Sequence, residues 1–416
     1  MSPPPVIIAR RPRQRGEDWD TARSWIGGLP RLGVEAWPRG KTGAPLVFLA
    51  QIDLGELAQA CPESPLPCEG ALAFFTGTGE DSDALAHDHR VLHLPVNPTA
   101  DTPLPSDAVP VRRVDEYSFP VPSGVPTERM TFAKWGIEFA ALPLPACLRD
   151  YADTSKHAQI LAETTALTQA RYPDCSRIFH LPRGDMPWLA VRLVYEKLQE
   201  AIADGPRSLT WTDKRIADYE ALIGLPRREA STRGIDADEL RRQIGLHRAF
   251  KAQKLEMLES LPVIAAELEA QLVGRDDWQP MDAASIRDLD DLCKSLWDRF
   301  RTLAPSLKID RIARTCGIEM AGGSLEAFGA LSDEHIERIN GHCRLTHFGP
   351  HQMFGISRET HDDVTRNCDK VMLLQLAWDD MMDWQFGDCC TLRYWIPHED
   401  IAQRRWDRVI HTFEGG

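Results

Sequence analysis

Two short apolar runs lie more than three hundred residues apart and share one pattern. Val47-Phe48-Leu49-Ala50-Gln51-Ile52 reads like Val371-Met372-Leu373-Leu374-Gln375-Leu376. Downstream, Gly70-Ala71-Leu72-Ala73-Phe74-Phe75 reads like Cys390-Thr391-Leu392-Arg393-Tyr394-Trp395. Continuous apolar runs of this length, bounded by turn residues, predict buried strands. Each pair is a strand ending in glutamine, a loop, and an aromatic-tipped strand, which predicts an internal duplication whose halves pack together. Arg90 to Pro95 and Val111 to Val114 predict further strands, and Phe132 to Leu142 a weaker one ended by Pro143 and Pro145. The proline-rich stretch from 95 to 126 reads as loop with short edge strands. Residues 1 to 44 are rich in Arg, Pro and Gly and show little periodicity. Within them, Arg10 to Arg15 reads as a solvated basic arm and Ser24 to Pro30 as a turn-rich entry to the fold.

The pattern changes near residue 150 and stays helical to about 340. Asp185 is placed to cap a helix with Pro187 in its first turn and Val191, Val194, Leu198 and Ile202 on one face. Leu240, Ile244, Phe250, Leu258, Leu261, Leu268 and Leu272 mark a long amphipathic segment that Pro262 should kink or split. Ile286, Leu289, Cys293, Leu296, Phe300 and Leu303 form a narrow three-four seam. Ser332 caps a short helix with Gly341 just past its end. Strands return over 371–377, 391–396 and 408–413, with a short helix opened by Pro397. The expected fold class is therefore α+β. Residues 1–149 and 341–416 would form a duplicated β-rich core, and 150–340 a large all-helical insertion.

Composition narrows the function classes. The chain has 416 residues, 43% hydrophobic and 26% charged, with formal net charge -14. Such a balance disfavours nucleic acid and anionic membranes and suits a basic protein partner. No apolar run reaches the ~20 residues of a membrane span, and the start does not read as a signal peptide. Ten cysteines without a CxxC pair read as reduced thiols, which points to the cytoplasm.

The chain resembles the YwqG-like family of bacterial proteins, a domain of unknown function. The resemblance rests on Ile26-Gly27-Gly28-Leu29-Pro30, Trp37-Pro38 and Pro45 to Leu54 near one end. Near the other it rests on His351-Gln352-Met353-Phe354-Gly355, Leu373 to Leu376, Gly387-Asp388 and Ile396 to Ile401. Two positions depart from the family pattern: Cys390 stands where a glycine is usual, and Phe386 where a tryptophan precedes the Gly-Asp, Trp384 being displaced. The resemblance implies a bacterial, cytosolic protein. It also carries an association with polymorphic toxin systems, hence an immunity-like role.

Several groups are candidates for chemistry. Gln51 and Gln375 end apolar strands, where their amides face a shared cleft or satisfy loose backbone groups. Asp53 follows the same logic and suits a turn cap. His342, Cys343, His347, His351 and His361 lie close together, but Gly349-Pro350 interrupts any helix that would align them for zinc. His87, His89 and His93 would share one strand face. Asp379, Asp380, Asp383 and Asp388 sit with Trp378, Trp384 and Phe386 in one loop, a mixture suited to a basic or apolar partner surface. Cys389-Cys390 reads as packing at a strand start. Arg241, Arg242, Arg248, Lys251 and Lys254, interleaved with acids, read as a solvated helix face.

No phosphate loop, nucleophile elbow, zinc-protease helix or dinucleotide fingerprint is present, so no catalytic residue, metal or cofactor is assigned. The expected function is a non-catalytic, protein-binding factor. Its binding residues would be Gln51, Asp53, His351, Gln375, Asp380, Trp384 and Asp388. The alternative is a small-ligand binder or enzyme with its site between the duplicated halves. The oligomeric state is left open.

Overall fold

Strand β1, Val6–Arg10, lies at the centre of the sheet, in a stretch whose sequence showed little periodicity and whose Arg10 was read as part of a solvated arm. Its five residues are all buried, and Ile8 pairs with Phe139 on one side and His351 on the other. In the computed structural model the described residues are 2–77, 88–108, 111, 130–225, 236–300, 307–347, 349–358, 362–382, 384 and 391–414.

The other strands are β2 (Trp25–Ile26), β3 (Val47–Asp53), β4 (Ala71–Thr76), β5 (His89–Leu94), β6 (Trp135–Ala141), β7 (His351–Met353), β8 (Val371–Leu376), β9 (Thr391–Ile396) and β10 (Ile410–Glu414). The α-helices are α1 (Leu54–Ala60), α2 (His157–Arg171), α3 (Leu189–Ile223), α4 (Ala237–Leu272), α5 (Ala283–Phe300), α6 (Ile309–Gly322), α7 (Leu325–Gly329), α8 (Asp333–His342), α9 (Asp363–Asn367) and α10 (His398–Ala402). The class is α+β, with one antiparallel sheet in the order β10-β9-β8-β7-β1-β6-β2-β3-β4-β5. Among the described residues no helix is long and apolar enough to cross a membrane.

The chain divides into two units, Met1–His180 with Gly317–Gly416, and Leu181–Cys316. In the first unit the sheet curls until its edge strands meet. His89 Nε2 donates to Val409 O at 2.8 Å, and the His89 ring stacks on His411 from β10. Tyr394 Oη donates to Phe75 O at 3.1 Å across the interior. Side chains thus cover two edges that would otherwise present unpaired backbone groups.

The two apolar runs singled out in the sequence take matching positions. In β3–β4 the register shifts between Phe48 and Ala50, and in β8–β9 between Met372 and Leu374. Trp25 pairs with Gln51 as Gln352 pairs with Gln375. After β2 come two left-handed residues, Gly27 and Gly28, and after β7 come Phe354 and Gly355, also left-handed. Outward-facing Phe48 and Phe75 pack with Trp25, Leu32 and Leu46. Their counterparts Met372 and Trp395 pack with Leu144, Leu148 and Ile160. Phe74 and Tyr394 point inward and meet, with ring centroids 5.2 Å apart.

The second unit is helical. Its start differs from the sequence reading: α3 begins at Leu189 and not after Asp185, which ends a short 3-10 turn. The reason is long-range. Pro187 forms a bridge with Pro280, and the Trp188 and Leu189 amides donate to Gln279 and Asp277 carbonyls, so these bonds, and not a helix, hold the chain between Met186 and Trp188. Pro262 does not split α4, which runs unbroken with Leu261, Ala265 and Leu268 buried on either side of it. Packing along α3 offsets the one hydrogen bond that proline removes. In α5 Leu289, Cys293, Leu296 and Phe300 of the predicted seam are buried and Ile286 is half-buried, while Leu303 lies outside the described residues. In the first unit, Ser332 caps α8 as expected, but that helix runs through Gly341 to His342. Val111 forms a single bridge residue, and the rest of the strand predicted there lies outside the described residues.

Candidate functional site

Gln51 and Asp53 point to the same polar network, at the end of β3. Gln51 Oε1 accepts from Arg31 N at 2.9 Å, and its Nε2 donates to Arg31 O and to Asn97 Oδ1. Asn97 Nδ2 in turn donates to Asp53 Oδ2 at 2.9 Å. Asp53 caps α1 by accepting from Glu56 N at 2.8 Å, as a strand-ending aspartate before Leu-Gly-Glu should. It also receives Arg23 Nη2 on both oxygens, at 3.0 and 2.9 Å. Arg31, lying over the Trp25 ring, spends its donors on Asp101 and on the Ala22 and Asp20 carbonyls. The sequence identified Gln51 and Asp53 and missed Arg23, Arg31 and Asn97. Asn97 stands in a proline-rich loop without periodicity, so no local signal marked it.

An open cleft of about 730 Å³ lies over this network, lined by Arg23, Asp53, Glu69, Asn97 and Thr99 among others. Asp53 is 1% exposed, whereas the Arg23 side chain is 58% exposed.

His351, Asp380 and Trp384 form a second group, and it is sealed from solvent. Ala377 N donates to His351 Nδ1 at 3.1 Å, so Nε2 carries the proton and donates to Asp379 Oδ2 at 2.9 Å. Arg10 donates to the same oxygen, and its other nitrogens bond the Cys343 and Leu345 carbonyls. Met381 N donates to Asp379 Oδ1 at 3.0 Å. Burial, only partly offset by Asp379, holds the His351 pKa below its ordinary value. Burial opposes the Asp379 charge, but Arg10 and His351 outweigh it and hold that carboxyl low. Trp384 lies edge-on to His351 and exchanges backbone hydrogen bonds with Asp379. Asp380 accepts from Trp378 Nε1 at 3.2 Å. This loop was expected to present acids and aromatics to a partner. Of its described members, Asp379, Asp380 and Trp384 are buried, because Arg10 from β1 draws the loop inward, and Trp378 is half-buried.

Arg10 is thus no solvated arm residue. Arg13 is also buried, and it packs between the Trp19 and Trp135 rings while donating to Ala321 O.

Gln375 has partners of its own. It donates to Pro350 O at 3.1 Å and accepts from Arg393 Nε at 2.9 Å. Arg393 Nη1 reaches Asp363 at 2.7 Å, and Thr412 reaches the same carboxylate. Asp388 lies outside the described residues, as do His87, His361, Asp383, Phe386, Cys389 and Cys390.

Among the histidine groups, His342 Nδ1 bonds the Asp174 carbonyl oxygen at 3.1 Å, and His89, His93 and His351 make ring contacts. The helix carrying His342 ends there, so Cys343, His347 and His351 share no helix face. His93 stacks on Trp406 at 5.4 Å. Among the described residues no three His, Cys, Asp or Glu side chains form a metal-holding group.

On α4 the basic residues pair with acids: Arg241 with Asp238, Arg242 with Glu239, Arg248 with Glu220 and Lys251 with Asp213. Lys254 departs from the expected solvated face. It is buried, and burial lowers its pKa despite Asp204. Beside these pairs lies a group the sequence reading missed. Arg215 sits between Trp211 and Tyr219, 5.4 and 5.2 Å from their rings, and donates to Tyr219 Oη. His247 of α4 meets both rings. Trp211 is 54% exposed and nearby Leu246 55%. The signal available was an aromatic, an arginine and an aromatic at four-residue spacing on one helix.

A family model described as a domain of unknown function (DUF1963) matches residues 24–179 and 232–414. These segments hold β2 to β10 and are most of the chain, and the chain belongs to that family. No curated protein matches it.

Proposed function

We propose that this member of the DUF1963 family is a non-catalytic, cytoplasmic protein-binding factor of YwqG-like type. It would engage a basic protein through the exposed face of α3 and α4. The observation that carries this reading is the Trp211–Arg215–Tyr219 stack. Interface hot spots are enriched in Trp, Tyr and Arg. Here two of the three are held in place by stacking before any partner arrives, which lowers the entropic cost of binding. A half-exposed indole offers a ring face to an incoming lysine or arginine. The net charge of -14 would attract such a partner.

The burial of His351, Asp380 and Trp384 removes these three side chains from the surface available to a partner. A duplicated origin of the β-rich core is supported by the matching register shifts, the paired left-handed residues and the Phe74–Tyr394 contact. The helical stretch from 150 to 340 reads as an insertion because β6 and β7, which flank it, both pair with β1.

The test places a photo-crosslinking residue at Leu246 and exposes the protein to its native extract. The expected result is one protein captured at one-to-one stoichiometry, with capture lost in Trp211→Ala. No stoichiometric partner, or capture indifferent to Trp211→Ala, would overturn the reading.

A further inference from the structure

The cleft at the end of β3 carries a second, independent binding chemistry. We propose that it binds a small zwitterion of the amino-acid or short-peptide class, with the carboxylate on Arg23 and the ammonium at Glu69.

Five charged side chains line the cleft: Asp20, Arg23, Arg31, Asp53 and Glu69. Three are committed inside the protein. Arg31 bonds Asp101 and two carbonyls. Asp20 accepts from Lys134 Nζ at 2.6 Å, a bond that holds its carboxyl below the usual range. Asp53 is saturated by Glu56 N, Asn97 and Arg23.

Two groups keep unspent capacity. A guanidinium has five N–H donors. Arg23 uses only Nη2, on Asp53, leaving Nε and Nη1 without a partner among the described residues and 58% of the side chain exposed. Glu69 is exposed and has no cation beside it among the described residues. The buried Asp53 carboxylate anchors Nη2, so the remaining donors are held at the cleft before a ligand arrives. Nε and Nη1 each offer a carboxylate a charge-assisted hydrogen bond.

Gly55 keeps the space between these groups open. A Cβ there would lie 3.5 Å from Arg23 Nη2 and 3.6 Å from the Cys68 carbonyl oxygen, so the segment bearing Glu69 faces Arg23 across a glycine. The cleft volume lies in the range of small-molecule sites. A simple anion in the cleft meets the Glu69 carboxylate, and a simple cation meets Arg23. A molecule bearing both charges satisfies both groups, so the pair selects by repulsion as well as attraction.

Calorimetric titration of the full chain tests this with the free amino acids and dialanine. For each binder, its deaminated and decarboxylated analogues follow (for alanine, propionate and ethylamine). At least one zwitterion should bind, with both of its singly charged analogues about tenfold or more weaker. Arg23→Met and Glu69→Gln should each weaken the zwitterion by a similar factor, with Arg23→Lys between wild type and Arg23→Met. Glu69 is exposed, so Glu69→Gln keeps the test valid if removing the partner of Asp53 harms folding. Trp211→Ala should leave these titrations unchanged, which separates this site from the protein-binding surface. No binding across the panel, analogues as tight as the zwitterion, or full affinity in Glu69→Gln would overturn the proposal.

Discussion

Arg10, near one end of the chain, donates a hydrogen bond to the carboxylate of Asp379, near the other, and both side chains are buried. Removing one partner leaves an uncompensated buried charge, which costs about 3–5 kcal/mol. Arg10→Met and Asp379→Asn are each expected to lower stability on that scale in denaturant melts. The double variant should cost less than the sum of the two, because the first change already breaks the pair. Additive losses would show that the residues act independently.

Acidification is expected to destabilise the fold. Burial holds His351 neutral in the folded state, and burial followed by Arg404 does the same for His93. The unfolded chain therefore binds more protons below the ordinary histidine value near 6.5. Stability from these groups is complete above that pH and declines as pH falls toward their lowered folded values. The contribution of Asp379 persists further, being lost only as pH falls below the ordinary value near 3.8 and through its lowered folded value. Melting temperature should fall from pH 8 to pH 5, and His351→Gln should flatten the slope. A fold that gains stability on acidification would refute this assignment.

Gly27 has a φ of 66°, and a Cβ there would sit 2.0 Å from the Ala133 carbonyl oxygen. That neighbour is backbone and cannot rotate away. Gly27→Ala should cost about 1–3 kcal/mol for the strained conformation alone, with the clash added. Gly329, in α7, has open space where a methyl group would go, with nothing within 4 Å. Gly329→Ala should therefore be neutral or stabilising by up to about 1 kcal/mol. Thermal melts of the two variants check the contrast.

Tyr394 bonds the Phe75 carbonyl from the opposite side of the sheet, and burial pushes its pKa up. Tyr394→Phe keeps the ring against Phe74 and His411 and removes that bond, at an expected cost of about 1 kcal/mol. Amide exchange should speed up in β4 and β9 more than in α3. Unchanged stability would mean that the contact carries no weight.

The strands most legible in the sequence were those whose apolar runs are continuous, β3, β4, β8 and β9, and β5, β6 and β10 were also read, from shorter or weaker runs. β1 escaped because Val6-Ile7-Ile8-Ala9 stands between prolines and an arginine tract, which locally reads as an arm. Arg10 and Arg13 were misread for the same reason. Their acceptors, Asp379 and Ala321, are supplied by the far end of the chain, and no local window contains them. Asp53 was readable as a turn cap at a strand end, but the helix it caps, α1, was not read. Gln51 was readable as a strand-end amide, but its partner Asn97 was not. The loop of Asp379, Asp380 and Trp384 was legible as unusual composition. Its burial was not, since that depends on β1 arriving beneath it.

The most direct measurement is the affinity of the crosslinked partner for wild-type protein and for Trp211→Ala, taken alongside the melting temperature of each. The indole is half exposed and makes its contacts on the surface of one helical pair. The expected result is a loss of about 2 kcal/mol or more in binding, near thirtyfold in Kd, with the melting temperature unchanged. Equal affinity in the two proteins, or a loss that appears only together with a loss of folding, would contradict the account.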